Sequence, residues 1–143
     1  MLDVDSARPE FYLSGSDTEQ SRVLPCDPQS AAVARRLVTA VLRLWELPEL
    51  TDRATVVVSE LVTNAVVHAK TNGASVRVII SLLSTGRVQV AVTDLDRRLP
   101  EPLEHPDSTA EGGRGLALVA ALSESWGTDP RHWGKSVWAD LAA

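Results

Sequence analysis

Two runs of the chain rich in valine and isoleucine, residues 74–83 and 87–94, flank the tripeptide Ser84-Thr85-Gly86. Such runs favour β-strands, and a short glycine-containing connection between them is typical of a β-hairpin. The chain is therefore expected to contain antiparallel sheet. Because helical patterns stand on both sides of this hairpin, the sequence predicts an α+β fold.

Two helices are predicted before the hairpin. Asp27 is expected to be the N-cap of the first helix, with Pro28 at its first position. Apolar residues recur at helical spacing from Ala31 to Trp45, and Pro48 is expected to end the helix. Thr51 is expected to cap a second helix that runs to about Ala69. That helix is apolar nearly all round, since Val56 and Val67 lie opposite its main apolar stripe, and such a helix is expected to be buried between layers.

The remaining segments complete the predicted organisation. Residues 1–20 are expected to form a loose leader, and residues 21–143 one domain that opens with a short strand at 21–24. Residues 95–113 hold three prolines and many charges, which is typical of a long functional loop or lid. A helix is predicted at 114–123, and two closing strands at 125–129 and 136–141.

Composition excludes several classes of function. The chain of 143 residues has a formal net charge of −5, so it lacks the basic footprint of a nucleic-acid-binding protein. Its apolar runs are too short to span a membrane, and its first residues do not resemble a signal peptide, so no membrane association and a cytoplasmic location are expected. Its single cysteine and three histidines show no metal-ligand spacing.

The second predicted helix carries a pair of polar residues among valines. Glu60 and Asn64 are four residues apart, which places them on one face of a helix. A carboxylate there is suited to act as a general base, and an amide oxygen to occupy one ligand position of a magnesium ion. By spacing alone, a Glu–Asn pair on a solvated helix flank is the more common arrangement.

Asp94 stands where an apolar strand ends. A carboxylate in that place can accept a hydrogen bond from an adenine amino group. An aspartate that initiates a turn is equally compatible with this pattern.

A glycine cluster, Gly112-Gly113-Arg114-Gly115, precedes an apolar helical pattern that starts at Leu116. Glycines that lead into a helix leave backbone N–H groups open to phosphate, and Arg114 adds a cation. A flexible hinge before a helix is the alternative.

Taken together and in this order, the three motifs resemble the histidine-kinase-like (GHKL) ATPase superfamily. SELVTNAVVHA is similar to its N box, Asp94 to the aspartate of its G1 box, and GGRGLALV to its G2 box. The resemblance implies a two-layer α/β sandwich of the Bergerat type, in which helices cover one face of a mixed, mostly antiparallel sheet. It also implies a site for ATP and Mg²⁺, in which Glu60 is the base, Asn64 holds magnesium, Asp94 binds adenine, Gly113, Arg114, Gly115 and Leu116 lie at the nucleotide, and Ser136 assists Asp94.

Among the members of this superfamily, the short chain most resembles the anti-sigma-factor serine kinases and their actinobacterial relatives. The resemblance implies a protein serine/threonine kinase that phosphorylates a small antagonist protein and sequesters a sigma factor, and it leaves a homodimer open. The alternative is a non-catalytic switch that changes partners with nucleotide, because no glycine follows Asp94 in the stretch up to Pro100, where family members usually carry glycines.

Overall fold

The residues that the structure describes form an α+β fold of three α-helices and a six-stranded sheet. A computed structural model describes residues 14–67, 74–95, 110–131 and 134–143. The elements are β1 (Ser14–Ser16), β2 (Glu19–Pro25), α1 (Ser30–Leu44), a 3-10 turn (Pro48–Leu50), α2 (Thr51–Val67), β3 (Ser75–Ser84), β4 (Arg87–Asp94), α3 (Ala110–Leu122), β5 (Ser125–Arg131) and β6 (Gly134–Ala142).

The strands lie in the order β1-β2-β3-β4-β6-β5, and every pairing between them is antiparallel. The expectation of a mixed sheet is therefore corrected to a sheet whose described pairings are all antiparallel. The predicted hairpin is confirmed, with Gly86 at a φ of 73° in its turn, a conformation that favours glycine. β6 pairs with both β4 and β5, so the last hairpin completes the sheet beside β4.

One hydrophobic core lies between the helices and one face of the sheet. Strand residues alternate between the two faces, so every second side chain of β3, β4 and β6 enters this core. Full burial of a valine or leucine contributes about 1.5–3 kcal/mol to folding. The fully buried strand residues on this face are Val76, Val78, Ile80, Val88, Val90, Ala139 and Leu141.

α1 begins three residues after the predicted cap. Asp27 Oδ1 accepts a hydrogen bond from the Gln29 N–H at 2.8 Å, so Asp27 closes a turn that precedes the helix instead of capping it directly. Ser30, the first helical residue, donates its hydroxyl to Pro25 O at 2.7 Å and ties the helix to the end of β2.

α2 buries one side only, so the prediction of all-round burial is wrong. Val58 and Leu61 are buried against the sheet, but Val56 is 37% and Val67 64% exposed. Other described elements cover one side of this helix, and its far side therefore remains in solvent. The helix is described to Val67, so the predicted end at Ala69 lies outside the described residues.

Two other predicted boundaries also change. Within the described residues the sheet starts at Ser14, so residues 14–20 form part of β1, its turn and β2 instead of a leader. α3 starts at Ala110, four residues before the predicted start, and takes in the end of the predicted lid. Residues 96–109, the rest of that lid, lie outside the described residues.

Candidate functional site

α2 carries the first two predicted site residues on its flank. Val58, Leu61 and Val62 anchor the helix in the core. Glu60 and Asn64, one helical turn apart, are both half-buried at the edge of this anchored stripe. The alternative of a pair on a solvated helix flank therefore does not fully describe these residues, since both polar side chains are partly enclosed by the fold.

Asp94 is the last residue of β4. Val90 and Val92 precede it at intervals of two, so its side chain lies on the sheet face that the helices cover. The backbone beyond it stays in the sheet, because the Leu95 N–H donates to Ser75 O at 2.9 Å. This hydrogen bond keeps the end of β4, where Asp94 lies, in register with β3.

Asn64 and Asp94 line one small cleft between α2 and the ends of β4 and β6, with a cavity volume of about 20 Å³. Its polar contributions come from these two residues and Lys135. Its walls are apolar, and its volume is well below the range for pockets that enclose a whole ligand, about 300–1,000 Å³. The apolar lining residues are Leu61, Ala65, Val92 and Val137.

The residues of the cleft fit the groups that a GHKL ATPase binds. Apolar walls suit the faces of a flat purine, and a carboxylate can accept from an exocyclic amine. An amide oxygen is a suitable ligand for magnesium that is held otherwise by phosphates and water. The positive charge of Lys135 would attract an anionic nucleotide.

Glu60 lies against the third helix. A Cβ added to Gly115 would stand 2.9 Å from Glu60 Oε1 and 3.9 Å from Glu60 Cδ. Glycine inside a helix costs roughly 0.5–1 kcal/mol relative to alanine. The close approach of the Glu60 carboxylate explains why a residue without a Cβ stands at position 115.

The glycine cluster lies within α3 and not before it. Helices leave the N–H groups of their first turn without intrahelical acceptors, which here means residues 110–112, ahead of Gly113 and Gly115. Gly113, Arg114 and Gly115 therefore belong to the continuing helix, and the side chain of Arg114 lies outside the described part of the structure. Leu116 is partly buried against the core, so its side chain packs there and is not among the lining residues of the cleft.

The structure does not bring Ser136 to the cleft. Ser136 pairs with Thr93 across β4 and β6, and the two hydroxyls share a hydrogen bond of 3.1 Å on the sheet face away from the helices. The placement beside Asp94 is therefore corrected. A strand position shifted by one residue points to the opposite face, and the residue that lines the cleft with Asp94 is Lys135.

Lys135 is the site residue that the motif comparison missed. A signal for it was present in β6, where Val137, Ala139 and Leu141 recur at every second position. Extending that alternation backwards by two residues places Lys135 on the core face.

The chain matches the histidine kinase-like ATPase domain family over residues 24–139. It therefore belongs to this family, and an ATPase domain of this type implies nucleotide binding. The described fold and the cleft agree with that assignment. Among the described residues, no helix is both long and apolar enough to cross a membrane.

One relative and two solved structures of a single kinase illustrate the relationship. An uncharacterised protein of Streptomyces coelicolor is 38% identical over 74 residues, which are 51% of this chain and 70% of that protein. A blue-light activated histidine kinase of Erythrobacter litoralis has a similar structure, with 28% identity and a TM-score of 0.53 over 66% of this chain. The histidine kinase domain from that kinase shows 25% identity and a TM-score of 0.50 over 82% of this chain.

The chain spans only part of these solved structures, 31% of the first and 61% of the second. The similarity therefore covers a part of each structure and not the whole kinase.

Proposed function

We propose that the cleft binds Mg-ATP and that the chain is a cytoplasmic protein serine/threonine kinase of the GHKL type. The observation that carries this proposal is that Asn64 of α2 and Asp94 of β4 line one cleft, with Glu60 one helical turn from Asn64. Asp94 would accept the adenine amino group, and Asn64 would contribute one oxygen to magnesium.

ATP would supply the γ-phosphoryl group, which passes to the acceptor oxygen as its bond to the β,γ-bridging oxygen breaks and ADP leaves. Glu60 would accept the proton of a serine or threonine hydroxyl on the protein substrate, which makes that oxygen a better nucleophile. Lys135 would add positive charge beside an anionic ligand. The remaining contribution of the protein is to hold the reacting groups in position.

The partners we propose are a small antagonist protein as phosphate acceptor and a sigma factor as sequestered ligand. The resemblance of the N, G1 and G2 motifs to the anti-sigma-factor serine kinases supports them. Membership in the histidine kinase-like ATPase domain family is compatible with this regulatory role.

A non-catalytic switch is the second candidate, and one observation favours it. The residue after Asp94 is Leu95, whose N–H remains paired with Ser75 O, and no glycine follows up to Pro100. Side chains near a bound nucleotide weaken its affinity where they crowd it. In this candidate, ATP binding alters which protein is bound without phosphate transfer.

The test is transfer of phosphate from γ-labelled Mg-ATP to proteins that co-purify with the tagged chain from its own cells. The variants are Glu60→Gln and, as a matched control, Glu49→Gln, which changes an exposed glutamate in the 3-10 turn. The kinase proposal requires transfer by wild type and Glu49→Gln and a loss of about 10²–10⁴-fold in Glu60→Gln, with ATP binding retained. Nucleotide-dependent partner binding without any transfer by wild type contradicts the kinase and supports the switch.

A further inference from the structure

We propose that Gly115 is a positioning residue for Glu60, because its missing side chain leaves the space in which the Glu60 carboxylate lies. This inference rests on the proposed function, in which Glu60 is the base. It assigns Gly115 a role different from the phosphate contact that the motif implied.

The contact between the two residues leaves no room for a side chain. A Cβ at position 115 would come within 2.9 Å of Glu60 Oε1, which is closer than carbon and oxygen atoms pack without displacement. Any residue other than glycine therefore moves the carboxylate oxygen or moves the helix.

The backbones on both sides of the contact are anchored. Val119 follows Gly115 by one helical turn and is fully buried, and Leu116 also packs on the core. On α2, Leu61 follows Glu60 and is 2% exposed. The movable part is the end of the glutamate side chain, so a larger residue at 115 would turn the carboxylate aside and leave the fold in place.

The backbone of Gly115 is less available for a phosphate than the motif suggested. Gly115 is the sixth residue of α3, where N–H groups donate to carbonyls one turn earlier in the helix. Its distinguishing property in this structure is the absence of a Cβ beside Glu60.

The test is a double-mutant cycle of Gly115→Ala and Glu60→Gln in the phosphate-transfer assay described above. We expect Gly115→Ala to keep its melting temperature and to bind ATP within about twofold of wild type, because alanine suits a helix. We expect its transfer rate to fall by about 100-fold, the effect of misplacing a catalytic group by about an ångström. The double variant should be no slower than Glu60→Gln alone, since a base that has been removed cannot be misplaced.

One control variant and one alternative outcome make the cycle decisive. Ala117→Ser adds one heavy atom at an exposed position of the same helix and should leave transfer unchanged. A phosphate contact by Gly115 predicts weaker ATP binding in Gly115→Ala and losses that multiply in the double variant. Either result, or full activity of Gly115→Ala, overturns the proposal.

A second measurement separates this inference from the proposed function. With ¹³C-labelled glutamate, the Glu60 carboxyl resonance is identified by its loss in Glu60→Gln, and its shift is compared between wild type, Gly115→Ala and Ala117→Ser. A change confined to Gly115→Ala supports the positioning role even where wild type transfers no phosphate, an outcome that refutes only the kinase. An unchanged resonance in Gly115→Ala refutes the positioning role.

Discussion

Lys135 and Ser136 are consecutive residues of β6 that lie on opposite faces of the sheet. Lys135 lines the cleft with Asp94 on the face that the helices cover. Ser136 is 5% exposed on the other face, where its hydroxyl bonds that of Thr93. Their substitution separates effects on the cleft from effects on the sheet.

Lys135→Met is expected to weaken ATP binding by up to about fivefold at low salt, since a partly exposed charge interaction contributes about 0.2–1 kcal/mol. The effect should shrink as salt is added. Ser136→Ala should leave ATP affinity unchanged and lower the free energy of unfolding by about 0.5–1.5 kcal/mol, the usual contribution of one hydrogen bond. Calorimetry and urea unfolding measure the two effects, and the reverse pattern would place Ser136 at the nucleotide.

Asp94→Asn is expected to weaken binding of ATP and ADP by about 5- to 150-fold. The amide replaces an acceptor by a partial donor, and a mismatched polar pair costs about 1–3 kcal/mol. Asp129→Asn, an exposed substitution in β5, is the matched control and should bind as wild type does. Equal affinity of both variants in calorimetry would show that Asp94 does not contact the base.

Asn64→Ala is expected to abolish most of the difference between ATP affinity in Mg²⁺ and ATP affinity in EDTA. The substitution removes the amide oxygen that we assign to magnesium, while the apolar walls of the cleft stay in place. Thr63→Ala changes the exposed neighbour on the same helix and should keep the magnesium effect. A full magnesium effect in Asn64→Ala argues against this ligand assignment.

Leu37→Ala is expected to lower the free energy of unfolding by about 2–5 kcal/mol, because it leaves a cavity in the core. Leu37 is fully buried in α1, whereas Leu44 at the end of the same helix is 54% exposed. Leu44→Ala should therefore change stability by less than about 0.5 kcal/mol. Denaturant unfolding of both variants measures the contrast, and similar losses would contradict the described orientation of α1.

Local sequence patterns were sufficient to predict on which elements three of the candidate site residues lie. The spacing of Glu60 and Asn64 follows from helical periodicity, and the position of Asp94 at a strand end follows from the valine-rich run that becomes β4. The start of α3 was predicted late because glycines are poor helix formers, yet the structure includes them in the helix. The intrinsic helix propensity of single residues is a weak signal where a segment also packs against neighbouring elements.

The sequence by itself determined the order of the helices and strands from β2 onward, the hairpin, and which polar residues stand at helix flanks and strand ends, because these depend on periodicities of a few residues. Only the tertiary structure decided that Val67 faces solvent, that Lys135 instead of Ser136 lines the cleft, and that Gly115 makes room for Glu60. Those outcomes depend on which elements cover a helix, on strand register to a single residue, and on the close approach of two helices. Each of these is set by packing between segments that are far apart in the chain.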